Sequence, residues 1–256
     1  MTAKVLVSRE GPVMTVAINR PACRNAVDDH TAAELRTAFS AFEADGSAGV
    51  AVLTGEGGHF CGGYDLKFLA SSGMNYQPAG HGPMGPTRML LSKPVIAAVE
   101  GFAVAGGLEL ALWCDLRICS ESAVFGVYCR RWGVPLIDGG TVRLPRLIGQ
   151  SRAMDMILTG RSVDANEALA FGLANRVVPT GLARQTAQEM ALRIAQFPQL
   201  CMRVDRTSVH NQWGAELGAA LQFEGVQGER PLREEARIGA ARFKSGLGRS
   251  GDFNKI

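Results

Sequence analysis

Three short segments carry residue types that could do chemistry, and each sets glycines beside a reactive group. The run 59–66 reads His59-Phe60-Cys61-Gly62-Gly63-Tyr64-Asp65-Leu66, after a short apolar run and a glycine-rich turn. Paired glycines let backbone approach a ligand and leave the next N–H unpaired and pointing outward. An ordinary tight turn would read the same way. The run 101–110 reads Gly101-Phe102-Ala103-Val104-Ala105-Gly106-Gly107-Leu108-Glu109-Leu110, where a strand ends and a helix begins at Gly106. The first N–H groups of a helix lack internal acceptors and lie at the positive end of its dipole, so an oxyanion is stabilised there. Glu109 follows in the first turn, within reach of whatever Gly106 binds, although the same acid could simply complement the dipole. In the third run, 125–141, Asp138 stands beside Gly139 and Gly140 in a loop-like stretch with aromatic residues. It reads equally as a reactive carboxylate or as a turn or N-cap residue.

These segments need elements to position them. Strand patterns cover 4–9 and 13–19, joined by Gly11-Pro12, which is turn chemistry. Asp28 and Asp29 then precede a helical pattern over 31–43. Apolar strand runs over 50–54, 95–99 and 116–120, with a helix over 105–114, predict an α/β fold. Beyond about residue 145 the pattern turns helical, over 151–158, 164–171, 182–197 and several amphipathic pieces between 201 and 243. The simplest division is a core over 1–195 and a helical tail over 196–256. The stretch 71–87 is rich in Gly and Pro and reads as a mobile loop. Within it Gly80, Gly82 and Gly85 match GxGxxG. No strand precedes them, and Pro83 and Pro86 break the helix start, so a dinucleotide site is not expected.

Composition narrows the classes further. The 256 residues are 46% hydrophobic and 20% charged, which excludes disordered and fibrous classes. A net charge of +3 with scattered basic residues argues against nucleic acid and suits a small polyanionic ligand. Six cysteines without a CxxC read as reduced thiols. The first residues carry no apolar export segment, and the longest apolar stretch, 95–113, holds Glu100 and Glu109. A cytoplasmic protein without a membrane span is expected.

Read in order, the motifs resemble the crotonase superfamily, also called the enoyl-CoA hydratase/isomerase family, over essentially the whole chain. They are Asn19-Arg20-Pro21, Asn25-Ala26, FCGGYDL at 60–66, KPVIAAVEGFAVAGGLELAL at 93–112, GGTVRLPRLIG at 139–149, Leu158-Thr159-Gly160, and Ala168 with Gly172-Leu173. The resemblance implies a spiral of ββα units with a helical C-terminal oligomerisation region, forming a homotrimer or a dimer of trimers. It implies an acyl-CoA thioester substrate, with no metal and no cofactor beyond the coenzyme A the substrate carries. The thioester enolate would be held by two backbone N–H groups, which fall on Tyr64 and Gly106. Arg20, Ala22, Arg24 and Lys67, with Gly62, Gly63, Asp65, Leu66 and Gly107 around the two motifs, are the candidates to hold the CoA thioester. Phe253 and Lys255 would come from a neighbouring subunit. Phe68, Tyr128, Cys129, Trp132, Leu136 and part of the 71–87 loop would line the acyl pocket.

One departure matters. Hydratases of this family use two glutamates, and while Glu109 matches the first, the second position holds Cys129. Hydration needs a base for water and an acid for the α-carbon. A thiol with a pKa of about 8.5 replaces a carboxylate poorly, although Arg130 or Arg131 beside it would lower that value. Either Glu109 performs both transfers through one water, or Asp138 supplies the second carboxyl group. Family members with isomerase or dehalogenase activity place an acid in this loop, and an ungapped count puts Ile137, not Asp138, at their position. The expected activity is hydration of a 2-enoyl-CoA. Double-bond isomerisation, other crotonase-type acyl-CoA chemistry, or acyl-CoA binding with weak or no catalysis are the alternatives. Glu109 speaks against a mere binder, which gains nothing from an acid beside an oxyanion hole.

Overall fold

A computed structural model describes residues 3–251. The chain opens with β1 (Val5–Glu10) and β2 (Val13–Ile18), which pair antiparallel around the Gly11-Pro12 turn. Helix α1 (Asp29–Ala44) follows, then β3 (Val50–Gly55), α2 (Leu66–Ser72), β4 (Val95–Val99), β5 (Phe102–Val104) and α3 (Gly106–Trp113). Next come β6 (Leu116–Ser120), β7 (Val124–Gly126), α4 (Gly140–Ile148), α5 (Gln150–Thr159), β8 (Ser162–Asp164), α6 (Ala165–Phe171) and β9 (Arg176–Val178). Four helices complete the described chain, α7 (Ala183–Gln196), α8 (Gln199–Asn211), α9 (Leu217–Pro231) and α10 (Arg237–Lys244).

The strands form two sheets. The larger has the order β1-β2-β3-β4-β6-β9 and is parallel from β2 onward; the smaller has the order β5-β7-β8. Consecutive strands such as β4 and β5, or β6 and β7, therefore divide between the sheets before a helix follows. This is the ββα spiral. Both faces of the central strands β2, β3 and β4 are covered, which explains why β3 and β4 read as unbroken apolar runs instead of alternating, while the edge strand β1 is largely exposed. Val50, Val52, Ile96, Ala98 and Ile118 turn toward Ala183, Ala187, Met190 and Ala191 of α7. Their neighbours Ala51, Leu53, Ala97 and Val99 turn the other way, into the main core with Leu35, Phe39 and Phe42 of α1. Alternate residues of one strand thus serve two separate cores.

The strands expected over 4–9, 13–19, 50–54, 95–99 and 116–120 form within one residue of those bounds. The three-residue strands β5, β7, β8 and β9 are too short to show a period. Helix α4 was hidden by Gly140 and Pro145, which lie inside it. The stretch 71–87 departs from the expected loop: 71–72 finish α2, 73–81 are largely exposed, and 82–87 are buried. Gly85 turns there at φ +95 with no room for a Cβ beside Ala32 O of α1. Gly82 and Gly85 of the GxGxxG match thus serve close packing. Among the described residues, no helix is long and apolar enough to cross a membrane.

The tail is joined to the core by Arg206, whose guanidinium reaches Asp115 Oδ1 at 2.8 Å. Glu235 caps α8 by accepting from Leu200 and Cys201 N–H, at 3.0 and 2.8 Å. At the other end of the chain, Asp28 caps α1 through Thr31 N–H at 2.8 Å and also meets Lys4 at 2.7 Å and Arg20 at 3.2 Å. Burial raises the Asp28 pKa, but these partners together outweigh it and hold the carboxyl well below the usual range. A carboxyl with a depressed folded pKa stabilises the fold above its unfolded value and loses that contribution as pH falls. Asp28→Asn keeps the cap and removes the charge. It is expected to cost about 1–3 kcal/mol at pH 7 in urea unfolding, with the deficit shrinking below about pH 4. A pH-independent deficit would show that the ion pairs are not responsible.

Candidate active site

A cavity of about 230 Å³ opens where the 61–64 turn, the start of α3, the buried 82–87 segment and the 128–138 segment meet. The first motif lies along β5: Cys61 N–H donates to Phe102 O at 2.8 Å, and Val104 N–H donates to Cys61 O at 3.1 Å. On its other side Val27 N–H donates to Gly63 O and Asp65 N–H to Val27 O, both at 2.8 Å. The Tyr64 N–H between them is left out of this ladder. Gly63 turns at φ +96, and a Cβ there would stand 2.9 Å from Ala105 Cβ and 3.2 Å from Gly106 N. The two glycine turns are therefore packed against each other. Among the described residues neither Tyr64 N–H nor Gly106 N–H has an acceptor, and both residues line the cavity. The Tyr64 hydroxyl donates to Asp29 Oδ1 at 2.6 Å and anchors the ring away from the turn. Ala105 precedes the helix at φ 54, ψ −126. That conformation costs a non-glycine residue roughly 1–3 kcal/mol, so the surroundings hold the start of α3 against local preference.

Glu109 and Asp138 are each 2% exposed. Glu109 Oε1 accepts from the N–H groups of Asp138 and Gly140, both at 2.8 Å. Asp138 Oδ1 accepts from Met84 N–H at 3.0 Å and from the Thr87 hydroxyl. Arg203 Nε is the one sealed side-chain polar atom without a partner among the described residues. Glu109 Oε2 and Asp138 Oδ2 have no protein donor there, so each retains access to the cavity that both residues line. Burial, and then the nearby Asp138, push the Glu109 carboxyl up to about 8. Burial raises Asp138 as well, against the Thr87 and Met84 donors that favour its charged form. At neutral pH Glu109 thus carries a proton, and its doubly accepting Oε1 places that proton on Oε2.

Cys129 is 6% exposed, in a turn of helix over Tyr128–Trp132, and lines the cavity. Its thiol is raised, not lowered, because burial and Glu109 outweigh the neighbouring Arg130. The expected activation by arginine is thereby corrected, and Cys129 is a neutral group at this site. Arg131 stacks over the Tyr128 ring at 4.3 Å, while the Tyr128 hydroxyl meets Ser162 Oγ at 2.6 Å.

Other candidates divide. Arg24, Gly62, Leu66, Tyr128 and Trp132 line the cavity. Trp132 is 65% exposed, which removes burial as the reason for it. Arg24 lies over the Phe102 ring at 5.0 Å and reaches no acid among the described residues. Arg20 must be corrected, since its guanidinium serves Ala26 O, Asp65 and Asp28 and is not free for a ligand. Asp65 is likewise structural, capping α2 through Lys67 and Phe68 N–H. Ala22 and Lys67 are exposed away from the lining, and Phe68 packs beside the Tyr64 ring at 6.5 Å. Leu136 turns into the core, leaving Val134, Pro135 and Ile137 as the wall. Gly63 and Gly107 lie behind the surface, where a Cβ at Gly107 would strike Cys61 O. Phe253 and Lys255 lie outside the described residues. Met74, Pro83 and Met84 reach the cavity from the 71–87 stretch, part of which was expected to line it, while Cys23 and the role of Thr87 beside Asp138 were missed, for nothing local distinguishes them.

Comparison with known proteins adds to this geometry. The family model for enoyl-CoA hydratase/isomerase matches residues 8–245. The chain is 40% identical over 210 residues to enoyl-CoA hydratase EchA19 of Mycobacterium tuberculosis, covering 80% of this chain and 79% of that one. It is 38% identical over 205 residues to a carnitinyl-CoA dehydratase of Proteus mirabilis, covering 79% and 78%. The crystal structure of enoyl-CoA hydratase EchA1 from Mycobacterium marinum superposes with a TM-score of 0.89 at 32% identity, covering 95% and 96% of the two chains.

A buried acid whose folded pKa is raised binds its proton more tightly in the folded state, so stability falls as pH rises from the unfolded value toward the folded one. For Glu109 that window runs from 4.5 to about 8. Glu109→Gln retains an acceptor for both N–H groups and cannot ionise. The variant is expected to gain about 1–3 kcal/mol over the wild type at pH 8 and much less at pH 5, by urea unfolding. An equal difference at both values would mean that Glu109 ionises as an ordinary surface acid.

Proposed function

The chain belongs to the enoyl-CoA hydratase/isomerase family, and from this premise we propose that it is a hydro-lyase adding water across the double bond of a 2-enoyl-CoA thioester. The observation that carries the reading is one cavity wall holding two N–H groups without acceptors beside two carboxyl groups that each have a free oxygen. The thioester oxygen accepts from Tyr64 N–H and Gly106 N–H. Water oxygen bonds to C3 while the ionised carboxyl group takes one of its protons. The double-bond electrons move toward the thioester oxygen, forming an enolate held by the two donors and the α3 dipole. Each such donor contributes about 2.7–4 kcal/mol to an anionic transition state. The enolate then takes a proton at C2 from the protonated carboxyl group, so one water is added and the proton of the pair has changed sides.

Glu109 is the principal acid in this scheme because it holds a proton at neutral pH with Oε2 toward the cavity. Asp138 has the lower ordinary value and two donors to its anion, which favours it as the ionised partner. Arg24, exposed at the cavity wall over the Phe102 ring, is suited to the CoA phosphates. The tail is read as a homotrimer or dimer-of-trimers surface on the grounds of its exposed apolar side chains, among them Leu217, Leu232 and Phe243 at 73, 69 and 62% exposure. A cytoplasmic setting suits reduced thiols and a CoA thioester substrate.

The test is the loss of conjugated-thioester absorbance with short and medium 2-enoyl-CoAs. Wild type is expected to consume one or more of them, while Glu109→Gln loses at least about a hundredfold in kcat and keeps its affinity for acyl-CoA. Turnover by Glu109→Gln near the wild-type rate would overturn the assignment.

A further inference from the structure

The assigned site leaves one set of contacts unexplained. Asp138 is not held by its own loop but by a segment more than fifty residues earlier. Met84 N–H and the Thr87 hydroxyl both donate to Oδ1. The arrangement is built to closer tolerance than a loop crossing needs. Thr87 is fully buried, and a Cβ at Gly82 would collide with both Thr87 Oγ1 and Asp138 Oδ1. Arg143 of α4 then bridges the two segments, donating to Asp138 O at 3.0 Å and to Thr87 O at 2.7 Å. Four donors and a glycine thus converge on one aspartate and one threonine.

We propose that Thr87 is a positioning residue for the second carboxyl group, fixing Asp138 Oδ1 so that Oδ2 is presented to the cavity Glu109 faces. The proposal rests on the hydration reading above and deepens it. With a neutral thiol at Cys129, Asp138 is the carboxyl group left to complete the pair, and the structure spends a buried hydroxyl on orienting it. The same hydroxyl tunes its protonation, because a donor to the carboxylate favours the charged form. The other groups acting on Asp138 are Glu109 from α3, Arg143 from α4, Arg88 just beyond Thr87, and the Cys61 thiol of the first motif. Arg88 donates to Ile137 O at 2.9 Å and holds the adjoining main chain. Thr87 is the uncharged member, so removing it leaves the charge balance of the site intact.

Thr87→Val has the same shape without the donor. It is expected to lower kcat about tenfold with KM changed less than about twofold, the loss of one hydrogen bond to a charged group. The acidic limb of the pH–rate profile should move upward, since Asp138 without this donor protonates more readily. Thr87→Ser should restore both. In an Asp138→Asn background, Thr87→Val should cause no further loss. A wild-type kcat and pH profile in Thr87→Val, or the same loss in both backgrounds, would overturn the proposal. If Thr87→Val does not fold, Thr87→Ala gives the same comparison. The infrared band of the protonated Asp138 carboxyl, identified by its absence in Asp138→Asn, supplies a readout free of turnover. It should titrate at higher pH in Thr87→Val. If the wild type hydrates no 2-enoyl-CoA, the hydration reading falls by itself, and an unmoved infrared titration then decides separately against Thr87.

Discussion

Glu109 Oε1 accepts two main-chain hydrogen bonds, from residues 29 and 31 positions further along, and the site hangs on that pair. They tie the first turn of α3, which carries Gly106, to the loop that carries Asp138. A carboxyl group with no ion-pair partner among the described residues is costly to bury, and it survives here because its acceptor capacity is used and because it keeps its proton at neutral pH. Gly140 is part of the same constraint. A Cβ there would stand 2.9 Å from Glu109 Oε1, too close for the carboxyl group to remain seated.

The other half of the site is set by the first motif and β5. Their parallel pairing brings the 61–64 turn against the start of α3, and Ala105 accepts a conformation a non-glycine residue rarely adopts. That local cost is offset by Ala105 N–H donating to Gly126 O at 2.9 Å and by the pairing on either side. Two unsatisfied N–H groups at one wall would be a defect in a purely structural region. They make chemical sense where a charge develops on a bound oxygen, and the low dielectric of the buried wall makes each donor stronger than it would be in water.

The fold supports this by rigidity at a distance. The large sheet carries two cores, one against α1 and α3 and one against α7, so β4 and β6 cannot shift without disturbing packing on both faces. The loops at their ends inherit fixed starting points. The smaller sheet, β5-β7-β8, is made of three-residue strands, yet it seats the 61–64 turn and the start of the Tyr128–Trp132 wall.

The sequence by itself determined the α/β class, the long strands and helices, the two glycine turns and the acid three residues into α3, because all of these follow from short-range periodicity and from residues with special backbone freedom. The family resemblance added that Cys129 stands where a second glutamate would be expected. Only the tertiary structure decided what surrounds the acids. It showed that Arg20 and Asp65 serve each other, that the Cys129 thiol is raised by burial, and that the last six residues of a Gly/Pro-rich stretch form a buried clamp. The Met84 and Thr87 contacts to Asp138 span 54 and 51 residues. No local pattern encodes a hydrogen bond at that separation, since it exists only once the sheets have brought the two segments to the same wall.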